Sequence, residues 1–193
     1  MGNTFFTSDL HFGHKNIIEF CDRPWSSLED MREGLIQRWN EVIRNQDEVY
    51  VLGDFSFLNA EKTMAILRRL NGQKFLVAGN HDHGRKKWVG GRCFQWARYK
   101  HEKAFTCADG TKQRIVMSHY PFRTWAGDSR GAWGLHGHCH STNPIASMVG
   151  RSLDVGVDGH DWRPWALEEI KKIMDKVPYA EYRHAKADAE RGD

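Results

Sequence analysis

The run Phe75-Leu76-Val77-Ala78 stops abruptly at Gly79-Asn80-His81-Asp82, and this junction constrains the chain more than any other feature. Four consecutive apolar residues predict a strand buried on both faces, the kind found in parallel sheets. Gly79 permits a sharp turn. An amide, an imidazole and a carboxylate then arrive at the carboxyl end of the strand, where open α/β sheets place ligands and chemistry. Two other stretches have the same form: Asn3 to Ser8 runs into Asp9-Leu10-His11, and Glu48 to Leu52 runs into Gly53-Asp54. Alternation along an extended chain predicts that Asp9 and His11 point the same way. Any one of these residues alone reads as an ordinary turn residue. Their repetition at three strand ends points to a shared site.

The intervening segments read as helices. Ser26-Ser27-Leu28-Glu29 is a capping box for a helix to about Arg44, with Leu28, Met31, Leu35, Trp39 and Val42 inward. Ala60 to Leu70 predicts a second amphipathic helix, with Met64, Leu67 and Leu70 inward, stopped by Asn71-Gly72. A short helix after Asn16 is expected to bury Ile17, Ile18 and Phe20. Alternating strands and helices predict a parallel βαβ layer. From about Arg92 the pieces shorten, and Lys103 to Cys107 and Gln113 to Met117 flank Asp109-Gly110 as a hairpin. The second of these ends at Ser118-His119. A loop from Arg123 to Trp133 leads to Gly137-His138-Cys139-His140, followed by a strand over Ser152 to Val157 and a helix over Trp165 to Met174. The predicted fold class is α/β: two mixed β-sheets packed together with helices outside, a four-layer αββα sandwich. Residues 1–178 are expected to form a single domain and 179–193 a charged, disordered tail.

Composition narrows the function classes. A net charge of +3 on 193 residues suits a phosphate-bearing substrate without arguing for nucleic acid. Cys21, Cys93, Cys107 and Cys139 form no C-x-x-C pair, so reduced thiols and a cytoplasmic location are expected. No secretory signal and no apolar run near membrane-spanning length is found, so no membrane partner is expected. Eleven histidines raise the expectation of metal.

Collected, the strand ends offer Asp9, His11, Asp54, Asn80, His81, His119, His138 and His140. Oxygen and nitrogen donors without a thiolate pattern suit a catalytic rather than a structural zinc-type site. Such a set accommodates Mn²⁺, Fe or Zn²⁺. It is too large for one open ion, so two divalent ions sharing a bridging carboxylate are predicted, with a hydroxide between them for in-line attack on phosphorus. His81, next to a ligand but spare, is the candidate acid, and Asp82 is expected to fix its tautomer or raise its basicity. Cys139 should be turned away from the histidines beside it by alternation. His14, Arg23, Trp125 and Arg130 are candidate substrate contacts, with capping, a structural arginine and loop packing as the plain alternatives. His136 reads as a supporting residue.

The motifs Asp9-x-His11, Gly53-Asp54, Gly79-Asn80-His81-Asp82, His119 and Gly137-His138-Cys139-His140, in that order, make the chain resemble the calcineurin-like metallophosphoesterases over nearly its whole length. The resemblance implies an αββα sandwich and a dinuclear centre. One ion would take Asp9, His11, Asp54 and His140, the other Asp54, Asn80, His119 and His138, with Asp54 bridging and His81 acting on the leaving group. Protein serine/threonine phosphatases of this superfamily follow Gly-Asp with an Asp-Arg-Gly segment, whereas Gly53-Asp54 continues as Phe55-Ser56-Phe57. That departure points to the small bacterial or phage-type members. The implied activity is a phosphodiesterase or phosphatase acting on a small phosphate ester, a nucleotide among the candidates, with Mn²⁺ first and Fe, Zn²⁺ or Ni²⁺ as other fits. Two alternatives stand beside it. A nuclease or nucleic-acid end-processing enzyme is supported by Arg85-Lys86-Lys87, Arg123 and Arg130, and a non-catalytic scaffold would have lost ligands or His81, of which none is missing.

Overall fold

A computed structural model describes residues 2–83, 85–91 and 93–178. The charged tail expected over 179–193 lies outside them. Strands β1 (Thr4–Thr7), β2 (Glu48–Val51), β3 (Gln73–Val77) and β4 (Phe94–Arg98) run parallel, and β9 (Trp165–Ala166) pairs antiparallel with β1, giving the order β4-β3-β2-β1-β9. The consecutive apolar residues have a use on each face. Phe5, Val49, Val51 and Leu76 meet the helices α2 (Leu28–Val42) and α3 (Ala60–Arg69), while Phe6, Tyr50 and Val77 face a second sheet.

That second sheet comprises β5 (Lys100–Thr106), β6 (Lys112–Ser118), β7 (Trp133–His136) and β8 (Ser152–Asp154), in the order β5-β6-β7-β8. Only β5 and β6 are antiparallel, so both sheets are mixed, as the sequence predicts. Phe105, Ile115, Met117, Trp133, Leu135 and Leu153 close the core between the sheets. Helix α4 (Leu167–Met174) adds Leu167, Ile170 and Met174 to that core beside β9. On the outer face of the second sheet Gly134 lies under the Trp125 indole, where an added Cβ would stand 3.3 Å from the ring.

Local differences from the sequence reading have local causes. The N-cap of α2 is Ser27, whose hydroxyl accepts from the Asp30 amide at 3.1 Å, one residue later than the Ser26–Glu29 box. The helix buries Ile36 with Met31, Leu35 and Trp39, and leaves Leu28 and Val42 at the margin of the core. In α3 Leu67 is buried as expected, as is Leu70 at its C-cap, while Thr63 and Ile66 join them inward and Met64 stands at the margin of the core. Helix α1 (Ile17–Phe20) is a single turn, so it buries Ile17 on one side and leaves Phe20 72 % exposed. Trp165 and Ala166 belong to β9 rather than to the last helix. Strand β7 begins at the end of the expected loop, at Trp133, and continues over residues given no element by the sequence, because Trp133-Gly134-Leu135-His136 is too short for its alternation to stand out.

Register positions the site. Thr7 pairs with Val51, and Val51 with Leu76, so β1, β2 and β3 end at one level. Among the described residues no helix is long and apolar enough to cross a membrane.

Candidate metal centre

Past the ends of β1 and β2 the two loops stay paired, with the amides of Asp9, His11 and Phe12 donating to the carbonyls of Gly53, Asp54 and Phe55 at 3.1, 3.0 and 3.1 Å. The convergence of Asp9 and His11 does not come from extended alternation, as expected from the sequence. Both have left-handed backbones, with φ of 58° and 53°, and Asp54, His138 and His140 share that conformation at 51°, 70° and 49°. Left-handed non-glycine residues are strained and persist where surrounding structure holds them, commonly at functional sites. Five of the eight such residues among those described are residues that the motifs single out.

The donors converge in two overlapping trios, Asp9-His11-His140 and Asp9-Asp54-His119. One carboxylate oxygen, Asp54 Oδ2, lies 3.6 Å from His11 Nε2 and 3.5 Å from His119 Nε2, between the two groups. Asn80 Oδ1 lies 2.9 Å from His119 Nε2. The rings of His138 and His119 are 5.1 Å apart, and His138 stands at the exposed rim outside both trios. His81 is 40 % exposed on its side chain, with Nε2 3.9 Å from Asp54 Oδ2.

Two buried atoms in the cluster, Asp9 Oδ1 and His11 Nε2, have no hydrogen-bond partner. Buried polar atoms are rarely left so, and these two are 3.9 Å apart within one donor trio. Other ring nitrogens are committed in a way that frees the inward atom. His119 Nδ1 donates to the Leu52 carbonyl at 2.8 Å, and His140 Nδ1 donates to Asp158 Oδ2 at 2.7 Å, leaving Nε2 of each facing the carboxylates. Burial favours a neutral His140, but the Asp158 carboxylate outweighs it and, with Cys21 and Asp9, pushes the imidazole up to about 10. Burial opposes a charged Asp54 too, yet His119 and the His81 amide hold its carboxyl at about 2. His119 is likewise raised, burial being outweighed by Asp54, while burial lowers His11. Such a cluster stabilises positive charge at its centre, and its imidazole, carboxylate and amide donors fit divalent ions.

Several roles differ from the sequence reading. Asp82 is buried, and its described hydrogen bonds come from the amides of Gly79, Asp54 and Phe55 at 2.8, 2.9 and 2.9 Å, so it clamps two strand ends together rather than orienting the His81 ring. Arg23 is only 4 % exposed; its fork binds Asp158 at 2.7 and 3.1 Å and the carbonyls of Asp9 and Leu10 at 2.7 and 2.9 Å. It has no face left for a phosphate. The Trp125 indole donates to the Ala132 carbonyl at 3.0 Å and packs on Gly134, which makes it a loop anchor, and Arg130 follows in the exposed turn beside it. His14 does reach the site: its Nδ1 is 3.1 Å from His11 Nδ1. Cys139 is turned away as expected, its sulfur grouping with His136 and Asp154.

Sequence reading missed Asp158, although it follows the alternating run Leu153-Val155-Val157 in the same form as the other strand-end acids. Phe57 was missed with less signal. It is 40 % exposed and its ring stands 4.4 Å from those of both His14 and His81, in contact with the site. Tyr120 donates to Asn80 Oδ1 at 3.2 Å.

A two-sheet sandwich that gathers carboxylates and imidazoles at level strand ends is the arrangement of the metallophosphoesterase class. The chain belongs to the calcineurin-like phosphoesterase family, whose profile matches residues 3–149. It is 32 % identical over 182 residues to an uncharacterized protein of Methanocaldococcus jannaschii, covering 91 % of this chain and 93 % of that one. It is 28 % identical over 203 residues to the gene 66 protein of Mycobacterium phage D29, covering 92 % and 98 %. A crystal structure of a protein of unknown function from Aquifex aeolicus has the same fold, with a TM-score of 0.68 and 23 % identity over 90 % of this chain and 100 % of that one.

Proposed function

We propose that the chain is a dinuclear metal-dependent phosphoesterase that hydrolyses a small phosphodiester or phosphomonoester, with nucleotides as the first class to screen. The carrying observation is the pair of orphaned buried atoms, Asp9 Oδ1 and His11 Nε2, beside an Asp54 oxygen lying between His11 and His119. On this reading Asp9, His11, Asp54 and His140 would hold one ion and Asp54, Asn80, His119 and His138 the other, with Asp54 common to both sets. Mn²⁺ suits the mixed oxygen and nitrogen donors. On the same reading residues 1–178 act as one catalytic domain, and the four free cysteines support a cytoplasmic location.

When bound, the ions neutralise phosphoryl oxygens and acidify water. The remaining work falls to the protein. Asp158 and the Leu52 carbonyl fix the tautomers of His140 and His119, and Arg23 fixes Asp158. His81, exposed at the mouth and braced by Phe57, delivers a proton from its ring to the departing oxygen. The Asp82 clamp holds the turn that carries His81 against the turn that carries Asp54.

The test is hydrolysis of bis(p-nitrophenyl) phosphate and p-nitrophenyl phosphate by metal-stripped protein with and without Mn²⁺. The expected result is turnover restored by Mn²⁺. His81→Ala should retain its metal content and lose about 10²- to 10⁴-fold in rate on an alkyl ester, less on a nitrophenyl ester whose leaving group needs no proton. Turnover of neither ester with two ions bound per chain would favour the scaffold reading, and an unchanged alkyl-ester rate in the variant would remove His81 from the mechanism.

A further inference from the structure

We propose that His136, Cys139 and Asp154 form a separate Zn²⁺ site on the outer face of the second sheet, behind the turn that carries His138 and His140. Three observations lead there. First, the three side chains each offer a donor atom, and these atoms all lie within 4.8 Å of one another. His136 and Asp154 are direct register partners on β7 and β8, so their side chains leave the sheet side by side. Cys139 is brought back to them by a tight turn, its amide donating to the Gly137 carbonyl at 2.9 Å between the left-handed His138 and His140.

Second, the donors are held as ligands are held. His136 Nδ1 donates to the Gly137 carbonyl at 3.0 Å, which leaves Nε2 for an ion. The Asp154 carboxylate is oriented by the amides of Gly156 and Ser141 at 2.8 and 3.1 Å. It is 4 % exposed and, among the described residues, no lysine or arginine pairs with it. A second buried carboxylate is close behind it: a Cβ on Gly156 would stand 3.0 Å from Asp154 Oδ1 and 3.2 Å from Asp9 Oδ2. Two buried carboxylates back to back call for positive charge on the outer side as well as at the Asp9 centre.

Third, the place is accessible. All three residues line a cavity of about 430 Å³ together with Phe122 and Arg123, and Cys139 is exposed. A thiolate, an imidazole and a carboxylate with one position open to a cavity match the preferences of Zn²⁺, in contrast to the thiolate-free donors around Asp54. Binding releases the Cys139 thiol proton to solvent. The ion would tie β7 and β8 to the Gly137–His140 turn and so brace the histidines on its other side. The inference stands apart from the proposed phosphoesterase centre, which uses none of these three residues.

Cobalt(II) in place of Zn²⁺ reports a thiolate ligand through sulfur-to-cobalt charge-transfer absorption in the near ultraviolet. Metal-stripped full-length protein loaded with Co²⁺ should show this absorption, and Asp54→Asn, which disables the other centre, should show it too. Cys139→Ser should lose it and should retain one Zn²⁺ equivalent fewer than the parent by plasma mass spectrometry; the position is exposed, and circular dichroism checks that the fold is kept. His136→Ala gives a second route to the same loss. Absence of the band in the parent protein, its survival in Cys139→Ser, or its loss instead in Cys21→Ser, whose sulfur lies 3.5 Å from His140 Nδ1, would overturn the assignment.

Discussion

Arg23 shows how far a single residue's role can depend on its surroundings. An arginine in a turn beside a phosphate-handling site reads as a clamp, yet all of its described contacts are internal, joining Asp158 and two carbonyls of the loop that carries Asp9. Removing it leaves the buried Asp158 carboxylate with His140 as its side-chain partner among the described residues, and takes the donors from the Asp9 and Leu10 carbonyls. Arg23→Ala should therefore cost about 3–5 kcal/mol in urea unfolding, and Arg23→Lys should recover only part, because one ammonium cannot span two carboxylate oxygens and two carbonyls. Asp82 teaches the same point. Its position next to His81 in sequence suggested a partnership between side chains, but three amides take its oxygens. Neighbours along the chain were legible; the partners of a fork or a carboxylate were not.

At the scale of elements, the strand ends were readable because apolar runs followed by polar residues leave a mark in one dimension. The turns that follow them are less so. Gly53 sits at φ 99°, and an added Cβ would run into the His119 ring. Gly53→Ala should destabilise the fold by about 1–3 kcal/mol, read as a lower urea midpoint, and should also lower activity because the His119 ring must move. Ser27→Ala offers a contrast, since it removes only the hydroxyl that caps α2. It should cost about 1 kcal/mol with no change in turnover. Short elements escaped the reading: β7 has four residues and β9 two, and neither carries enough periodicity to separate it from a loop or from the start of a helix.

For the molecule as a whole, the proposed ions and the fold are linked. Asp9 and Asp54 are buried at 0 % and 2 % exposure in one trio, so the folded state assembles a donor set for cations that the unfolded chain cannot gather. Mn²⁺ at about a hundred times its dissociation constant should stabilise the protein by about 2.7 kcal/mol per site, seen as a rise in thermal midpoint that a chelator reverses. Asp54→Asn should abolish most of that rise if its carboxylate is shared by both ions; an unchanged rise would remove the bridging role.

The sequence by itself determined the fold class, the family and most of the donors that gather at the strand ends, because hydrophobic patterning and motif order are written along one dimension. Tertiary structure alone decided that Asp9 and His11 meet through left-handed turns, that Asp158 orients His140 from a distance of eighteen positions along the chain, and that Trp125 anchors a loop. Those outcomes depend on hydrogen-bond directions and on which faces are already filled, and both exist only once separate segments have packed together.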